Sequence, residues 1–207
     1  MSGFRKKSRS RGRNHASRGA HRNYPGALRI IAGTWRRRRL LVPDGPDVRP
    51  TPDRVRETLF NWLRSDLSGA RCVDLFAGTG ALCLEALSRG ASRVVMVERA
   101  PEAVACLRDN VAELGADGAH VVEADAVDYL MGPPETFDIV FIDPPFHSDL
   151  IARSSELVDT RGWIEPGALV YIESPREMAQ LPIPESWEVI RGQNAGQVGY
   201  HLARKRR

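Results

Sequence analysis

Four stretches of this sequence place a carboxylate where an apolar run ends. In Val73-Asp74-Leu75-Phe76-Ala77-Gly78-Thr79-Gly80, an apolar strand passes into a glycine-rich turn that opens a helix. Glycines there let the backbone approach a ligand closely, outside the carboxyl end of the strand. A dinucleotide fingerprint would continue with a third glycine, but Cys83 occupies that position. The acid before the turn, Asp74, suits a ligand with a positive amino group rather than a pyrophosphate. Val94-Val95-Met96-Val97 ends in Glu98, twenty residues after Gly78, and an acid there can bind both hydroxyls of a ribose. Asp125, in Glu123-Ala124-Asp125-Ala126, can accept from the amino group of an adenine while also capping a helix. The run Phe137–Ile142 ends in Asp143-Pro144-Pro145-Phe146. Two prolines terminate a ladder and stiffen the backbone, which leaves the Pro144 carbonyl free. That carbonyl and the Asp143 carboxylate can both accept from one NH₂ group. Phe146 offers a face for stacking a base, worth roughly 1–3 kcal/mol. Each motif alone also fits a plain structural turn, strand end or cap. Their joint occurrence favours a site.

Such a site needs a parallel sheet with the acids at its carboxyl edge. Strands are expected at 72–76, 93–98, 119–123, 137–142 and 168–173. Helical patterns at 80–89, 101–114, 126–131 and 148–158 separate them. Four of the strands are nearly continuous apolar runs, as in a sheet covered on both faces. The alternation implies an α/β, doubly wound, mostly parallel sheet. Two further strands are expected at 187–191 and 198–203. Ahead of the sheet, Leu28–Ala32 and Leu40–Val42 read as a hairpin whose turn carries Arg36, Arg37, Arg38 and Arg39. Thr51 and Pro52 read as the cap and first residue of a helix. Val55, Leu59, Phe60, Trp62 and Leu63 form its apolar stripe, with Arg54 and Arg56 directed away from it.

The net charge of +4 over 207 residues hides a division. Residues 1–56 hold 16 Lys/Arg and 3 acids, a net of +13; residues 57–207 hold 14 and 23, a net of −9. A basic front joined to an acidic body suggests a polyanionic partner. Residues 1–27 have eight Lys/Arg and no acid, and too little apolar area to offset their ordering entropy, so a disordered basic tail is expected there. Residues 28–66 are expected to form a separate basic hairpin and helix, and 67–207 the sheet domain that carries the four acids. No apolar run of about 18 residues suggests a membrane span, and no apolar stretch follows the basic N-terminus as in a secretory signal. Cys72, Cys83 and Cys106 lack metal-ligand spacing and read as small core residues in a reduced, cytoplasmic chain.

Asp74–Gly80, Glu98, Asp125 and Asp143–Phe146 together resemble the class I S-adenosylmethionine-dependent methyltransferases that act on exocyclic amines, in that family's order. Leu28–Gly33 and the segment Arg49-Pro50-Thr51-Pro52-Asp53-Arg54-Val55-Arg56-Glu57-Thr58-Leu59-Phe60 narrow the resemblance. They look like the bacterial small-subunit ribosomal RNA methyltransferases of the RsmD type, which methylate a guanine N2 (guanine 966 of 16S rRNA). It runs from Leu28 to about Leu202, and the basic extension before it is a departure. The resemblance implies a seven-stranded class I sheet and S-adenosylmethionine as cofactor. Asp74 and the Gly78–Gly80 turn would hold its methionine part, Glu98 its ribose and Asp125 its adenine, with Ala77, Arg99 and Ala126 also binding the cofactor. Asp143, Pro144 and Phe146 would hold the target guanine. Arg36, Arg37, Arg38, Arg39, Arg49, Arg54, Arg56 and His147 would meet the RNA. The implied partner is 16S rRNA or the assembling small subunit, met by a monomer without metal or membrane. Rival readings are a DNA adenine-N6 methyltransferase, which would use the same Asp-Pro-Pro-Phe, and a non-catalytic RNA-binding assembly factor. A nicotinamide-linked dehydrogenase is weakest, because Cys83 breaks its fingerprint.

Overall fold

The computed structural model describes residues 26–42, 51–145 and 149–207. Arg49, Phe146, His147 and the basic segment up to Pro25 lie outside the described residues. The apolar runs form a seven-stranded sheet, built from β3 (Arg71–Asp74), β4 (Arg93–Glu98), β5 (Ala119–Glu123), β6 (Phe137–Ile142), β7 (Ile164–Pro175), β8 (Trp187–Ala195) and β9 (Val198–Lys205). Their order across the sheet is β5-β4-β3-β6-β7-β9-β8. The first five are parallel, while β9 runs antiparallel to both β7 and β8. After β5 the chain returns to the other side of β3. Strand order therefore reverses between β3 and β6, the position where open α/β sheets bind ligands.

Both faces of the sheet are covered. Cys72, Met96, Phe141 and Tyr171 pack with residues of α1 (Asp53–Trp62), α2 (Ala81–Ser88) and α3 (Pro101–Leu114). Val73, Val97, Ile142 and Ile172 pack with α4 (Ala126–Met131) and α5 (Leu150–Thr160) on the opposite face. This alternation is why the strands read as continuous apolar runs instead of apolar–polar stripes. All three cysteines are free and buried. No helix among the described residues is long and apolar enough to cross a membrane.

The N-terminal hairpin pairs β1 (Gly26–Arg29) with β2 (Arg39–Val42). β1 lies earlier than the expected 28–32 because a buried acid intercepts the chain. Glu85 on α2 accepts from the backbone N–H of Ile31 and Ala32, at 2.7 and 3.0 Å, so those donors leave the ladder. The turn then lies on the end of α2. Ser88 Oγ donates to the Ala32 carbonyl at 2.6 Å and accepts from Trp35 N–H at 3.0 Å. Gly33 has φ +82°, and a Cβ there would sit 1.7 Å from the Ser88 carbonyl oxygen, so only glycine allows this approach. Asn110 of α3 exchanges two hydrogen bonds with the Leu41 backbone, at 2.7 and 3.0 Å. The hairpin is thus fastened to two helices of the main sheet.

Two expectations about α1 are corrected. Thr51 does not cap it by side chain; its hydroxyl donates to Glu173 on β7, at 3.2 Å. Arg56 does not face solvent: it is fully buried, and bonds the Arg29 carbonyl (3.0 Å), the Thr51 carbonyl (3.3 Å) and Asp53 (2.6 Å). Its second amino group lies 3.7 Å from the buried Glu85 carboxylate. Arg56 is therefore removed from the expected phosphate contacts, since a buried and paired guanidinium cannot meet RNA. The apolar stripe is as expected, with Val55, Leu59, Phe60 and Leu63 buried.

Candidate methyl-transfer site

Side-chain direction alternates along a strand, so residues two apart share a face. Asp74, Glu98, Asp143 and Glu173 each follow by two a residue of the same core layer: Cys72, Met96, Phe141 and Tyr171. The sheet therefore carries a row of four acids across β4, β3, β6 and β7, on one face at the carboxyl edge. Sequence reading found the first three and missed Glu173. Its signal was of the same kind, an acid closing the apolar run Leu169–Ile172.

The turn after β3 is held in place by these acids. Asp74 is buried, and accepts from Phe76 N–H at 3.1 Å. Glu98 accepts from Gly78 N–H at 2.9 Å and from Ala100 N–H at 2.8 Å, one bond per oxygen. Each oxygen keeps a further lone pair for a ligand hydroxyl. Ala77 bonds Val97 on the neighbouring strand, at 2.9 Å. Gly80 has φ +75°, and a Cβ there would meet Leu107 at 2.6 Å, so it lets α2 pack on α3. Gly78 has φ +50°, and a Cβ there would meet nothing closer than 3.9 Å: a side chain would project into open space above the sheet. Asp125 caps α4 through Val127 N–H, at 2.8 Å, and Ala126 is buried behind it. Arg99 is exposed beyond Glu98.

The end of β6 has what an amine requires. Among the described residues, neither the Asp143 carboxylate nor the Pro144 carbonyl takes part in a hydrogen bond. Burial pushes the Asp143 carboxyl well above its usual range, and Glu173 and Asp74 push it the same way. Burial likewise raises Asp74 to about 7, opposed by the Phe76 N–H and reinforced by Glu98 and Glu173. Glu173 is also raised, by burial, against the bonds that it accepts from Tyr171 and Thr51. Among the described residues no cationic side chain acts on Asp74, Asp143 or Glu173, so the row is matched to a cationic ligand.

The basic groups gather elsewhere. Arg36, Arg37 and Arg38 are exposed in the hairpin turn, Arg39 at the start of β2, and Arg54 on α1. Arg38 is engaged with Glu113 on α3, through its carbonyl at 3.1 Å and its carboxylate at 3.6 Å.

The family described as "Conserved hypothetical protein 95" matches residues 28–204. The ribosomal RNA small subunit methyltransferase D of Escherichia coli is 45% identical over 177 residues, covering 86% of this chain and 89% of its own. The protein of the same name from Haemophilus influenzae is 40% identical over 184 residues, covering 87% and 95%. Among solved structures, the candidate methyltransferase yhhF of Escherichia coli superposes with a TM-score of 0.83 at 42% identity, over 87% of this chain and 99% of that one. A Thermus thermophilus 16S rRNA N2 G1207 methyltransferase, solved with AdoMet and guanosine, has a TM-score of 0.67 at 23% identity, over 87% of this chain and 50% of that one. That likeness is one of fold. The match over most of the chain, together with relatives of this identity, shows that the chain belongs to the Conserved hypothetical protein 95 family, alongside the ribosomal RNA small subunit methyltransferase D proteins.

Proposed function

We propose that this protein transfers a methyl group from S-adenosylmethionine to the exocyclic N2 amine of a guanine in small-subunit ribosomal RNA. The reading is carried by the pair of acceptors at Asp143 and Pro144, set at the point where strand order reverses. The names of relatives 40% and 45% identical to this chain support the small-subunit RNA substrate. The acid row supports the cofactor, whose amino and sulfonium groups are both cationic. Asp74 and the Gly78 turn would hold the amino-acid end, Glu98 with Arg99 the ribose, and Asp125 with Ala126 the adenine. Bound there, S-adenosylmethionine supplies an electrophilic methyl group.

A guanine amine is a poor nucleophile, because its lone pair is delocalised into the ring. Accepting one amine hydrogen at the Asp143 carboxylate and the other at the Pro144 carbonyl draws the nitrogen toward tetrahedral geometry. Its lone pair then turns toward the incoming methyl, and positioning supplies most of the acceleration. Positive charge grows on the nitrogen as the bond forms. Two acceptors aimed at it stabilise the transition state more than the ground state. After transfer the nitrogen sheds a proton, and the Asp143 carboxylate stands as its acceptor. Both roles need Asp143 ionised, which its burial opposes and a neighbouring cationic cofactor favours. The target base must leave its stack to reach this edge. Arg36, Arg37, Arg39 and Arg54 would hold phosphates, which sets affinity and not sequence.

Asp143→Ala is expected to lower the rate at least 100-fold while retaining S-adenosylmethionine binding, a size in keeping with the loss of one transition-state hydrogen-bond partner (about 10²–10³). A labelled-methyl assay on unmodified small subunits and on naked rRNA, followed by nucleoside identification, measures it. Near wild-type transfer by this variant would overturn the mechanism.

A further inference from the structure

We infer that Glu173 selects guanine over adenine by accepting the N1–H of the target base, and so decides which exocyclic amine this site can methylate. The inference rests on the guanine-N2 reading above. Ile142 pairs with Ile172 across the parallel β6–β7 ladder, so the next residues, Asp143 and Glu173, stand side by side at the carboxyl edge. They lie close enough for Glu173 to be the largest electrostatic influence on Asp143 after burial.

The Glu173 side chain is 5% exposed and unevenly engaged. One carboxylate oxygen accepts both from Tyr171 Oη, at 2.8 Å, and from Thr51 Oγ1, at 3.2 Å. The other makes no hydrogen bond among the described residues. Two hydroxyls on one oxygen fix the carboxylate in a single orientation and leave an acceptor next to the amine-holding pair.

The edges of the two candidate bases differ at one atom beside the amine. Guanine has a donor, N1–H, next to its N2 amine. Adenine has an acceptor, N1, next to its N6 amine. An ionised Glu173 carboxylate beside Asp143 accepts from guanine and repels the adenine lone pair. Sites built to hydrogen-bond a substrate group reject analogues that lack it far more strongly than apolar pockets do. Asp143 and Pro144 alone would accept either amine; adding Glu173 makes the set selective. Thr51, from the Arg-Pro-Thr-Pro segment ahead of α1, thereby acts on specificity as a positioning residue, through Glu173.

The test uses Glu173→Gln and RNA carrying either guanine or 2-aminopurine at the target position. 2-Aminopurine keeps the N2 amine but has an N1 acceptor. Wild-type enzyme is expected to favour guanine by about 100-fold or more in kcat/KM. In E173Q, whose amide keeps its oxygen on the two hydroxyls and so presents its N–H donors to N1, the preference is expected to shrink at least tenfold. Both substrates are measured on the same protein, so a folding defect cancels from the ratio. Should E173Q turn over too slowly, the same ratio is read from competitive RNA binding. N2-methylguanosine from wild type with an unchanged ratio in E173Q overturns the role of Glu173 alone. N6-methyladenosine from wild type overturns the guanine reading itself.

Discussion

Asp74 shows what a single residue of this site does to the whole molecule. Burial pushes its folded pKa up to about 7, against an ordinary value of 3.8 for a free aspartate. The folded state thus holds the proton more tightly than the unfolded state does. The associated stability is present below pH 4 and is lost as the pH rises toward 7. A shift of that size corresponds to a penalty on the order of 4 kcal/mol when Asp74 is ionised, a large share of a typical domain's stability. Asp74→Asn should therefore raise the melting temperature of the ligand-free protein at pH 8 and change it little at pH 4, as read by thermal melts across that range. The same substitution should weaken S-adenosylmethionine binding and flatten its pH dependence. In the wild type, affinity should rise between pH 6 and 8 as the acid ionises, by up to tenfold per pH unit, which calorimetry at a series of pH values can follow. Stability without ligand and affinity for a cationic ligand pull this residue in opposite directions, as is common where a site holds unpaired charge.

At the scale of elements, α1 separates what is legible in a sequence from what is not. Its apolar stripe follows helical spacing and was readable from Val55, Leu59, Phe60 and Leu63. The roles of its charged and polar residues were not, because they depend on partners far away in sequence. Arg56 meets Glu85, which also ties the Ile31 and Ala32 backbone and bonds Arg89 at 2.5 Å. Thr51 looked like a helix cap, yet its hydroxyl belongs to Glu173, 122 residues onward. Asp125, whose cap partner lies two residues on, was read correctly. Local chemistry is visible in a sequence, whereas long-range pairing of an identical residue type is not. Arg54 and Arg56, two positions apart, provide the contrast. Arg56→Ala would leave the Arg29 and Thr51 carbonyls without their donor and Glu85 with Arg89 as its remaining cation, and is expected to cost about 2–4 kcal/mol in urea or thermal unfolding. Arg54→Ala should leave stability within about 0.5 kcal/mol of wild type and weaken RNA binding instead. Equal destabilisation by the two would contradict the division drawn between them.

Across the whole molecule, charge follows architecture. The acid row lies inside the sheet's carboxyl edge, while the exposed arginines lie on the hairpin turn and α1, which pack against that sheet. The alternating fold was legible because a parallel sheet covered on both faces leaves long apolar runs between helical repeats. The seating of the hairpin was not, since it depends on Glu85, Ser88 and Asn110 meeting backbone from another part of the chain. That seating also fixes where the basic front can be cut. β1 begins at Gly26, whose register partner is Val42, and Ala27 pairs with Leu41. Removing residues 1–27 would therefore shorten the hairpin, whereas removing 1–24 takes away Arg5, Lys6, Lys7, Arg9, Arg11, Arg13, Arg18 and Arg22 and leaves β1 whole. Each phosphate contact contributes roughly 0.7–0.9 to the slope of log affinity against log salt. If the eight cations of this segment touch phosphate, the 1–24 truncation should lower that slope by several of these increments. Its melting temperature and S-adenosylmethionine affinity should match those of the full chain. RNA binding measured from 50 to 200 mM salt on both proteins gives the answer. An unchanged slope would assign the RNA grip to Arg36, Arg37, Arg39 and Arg54, on the folded part of the chain.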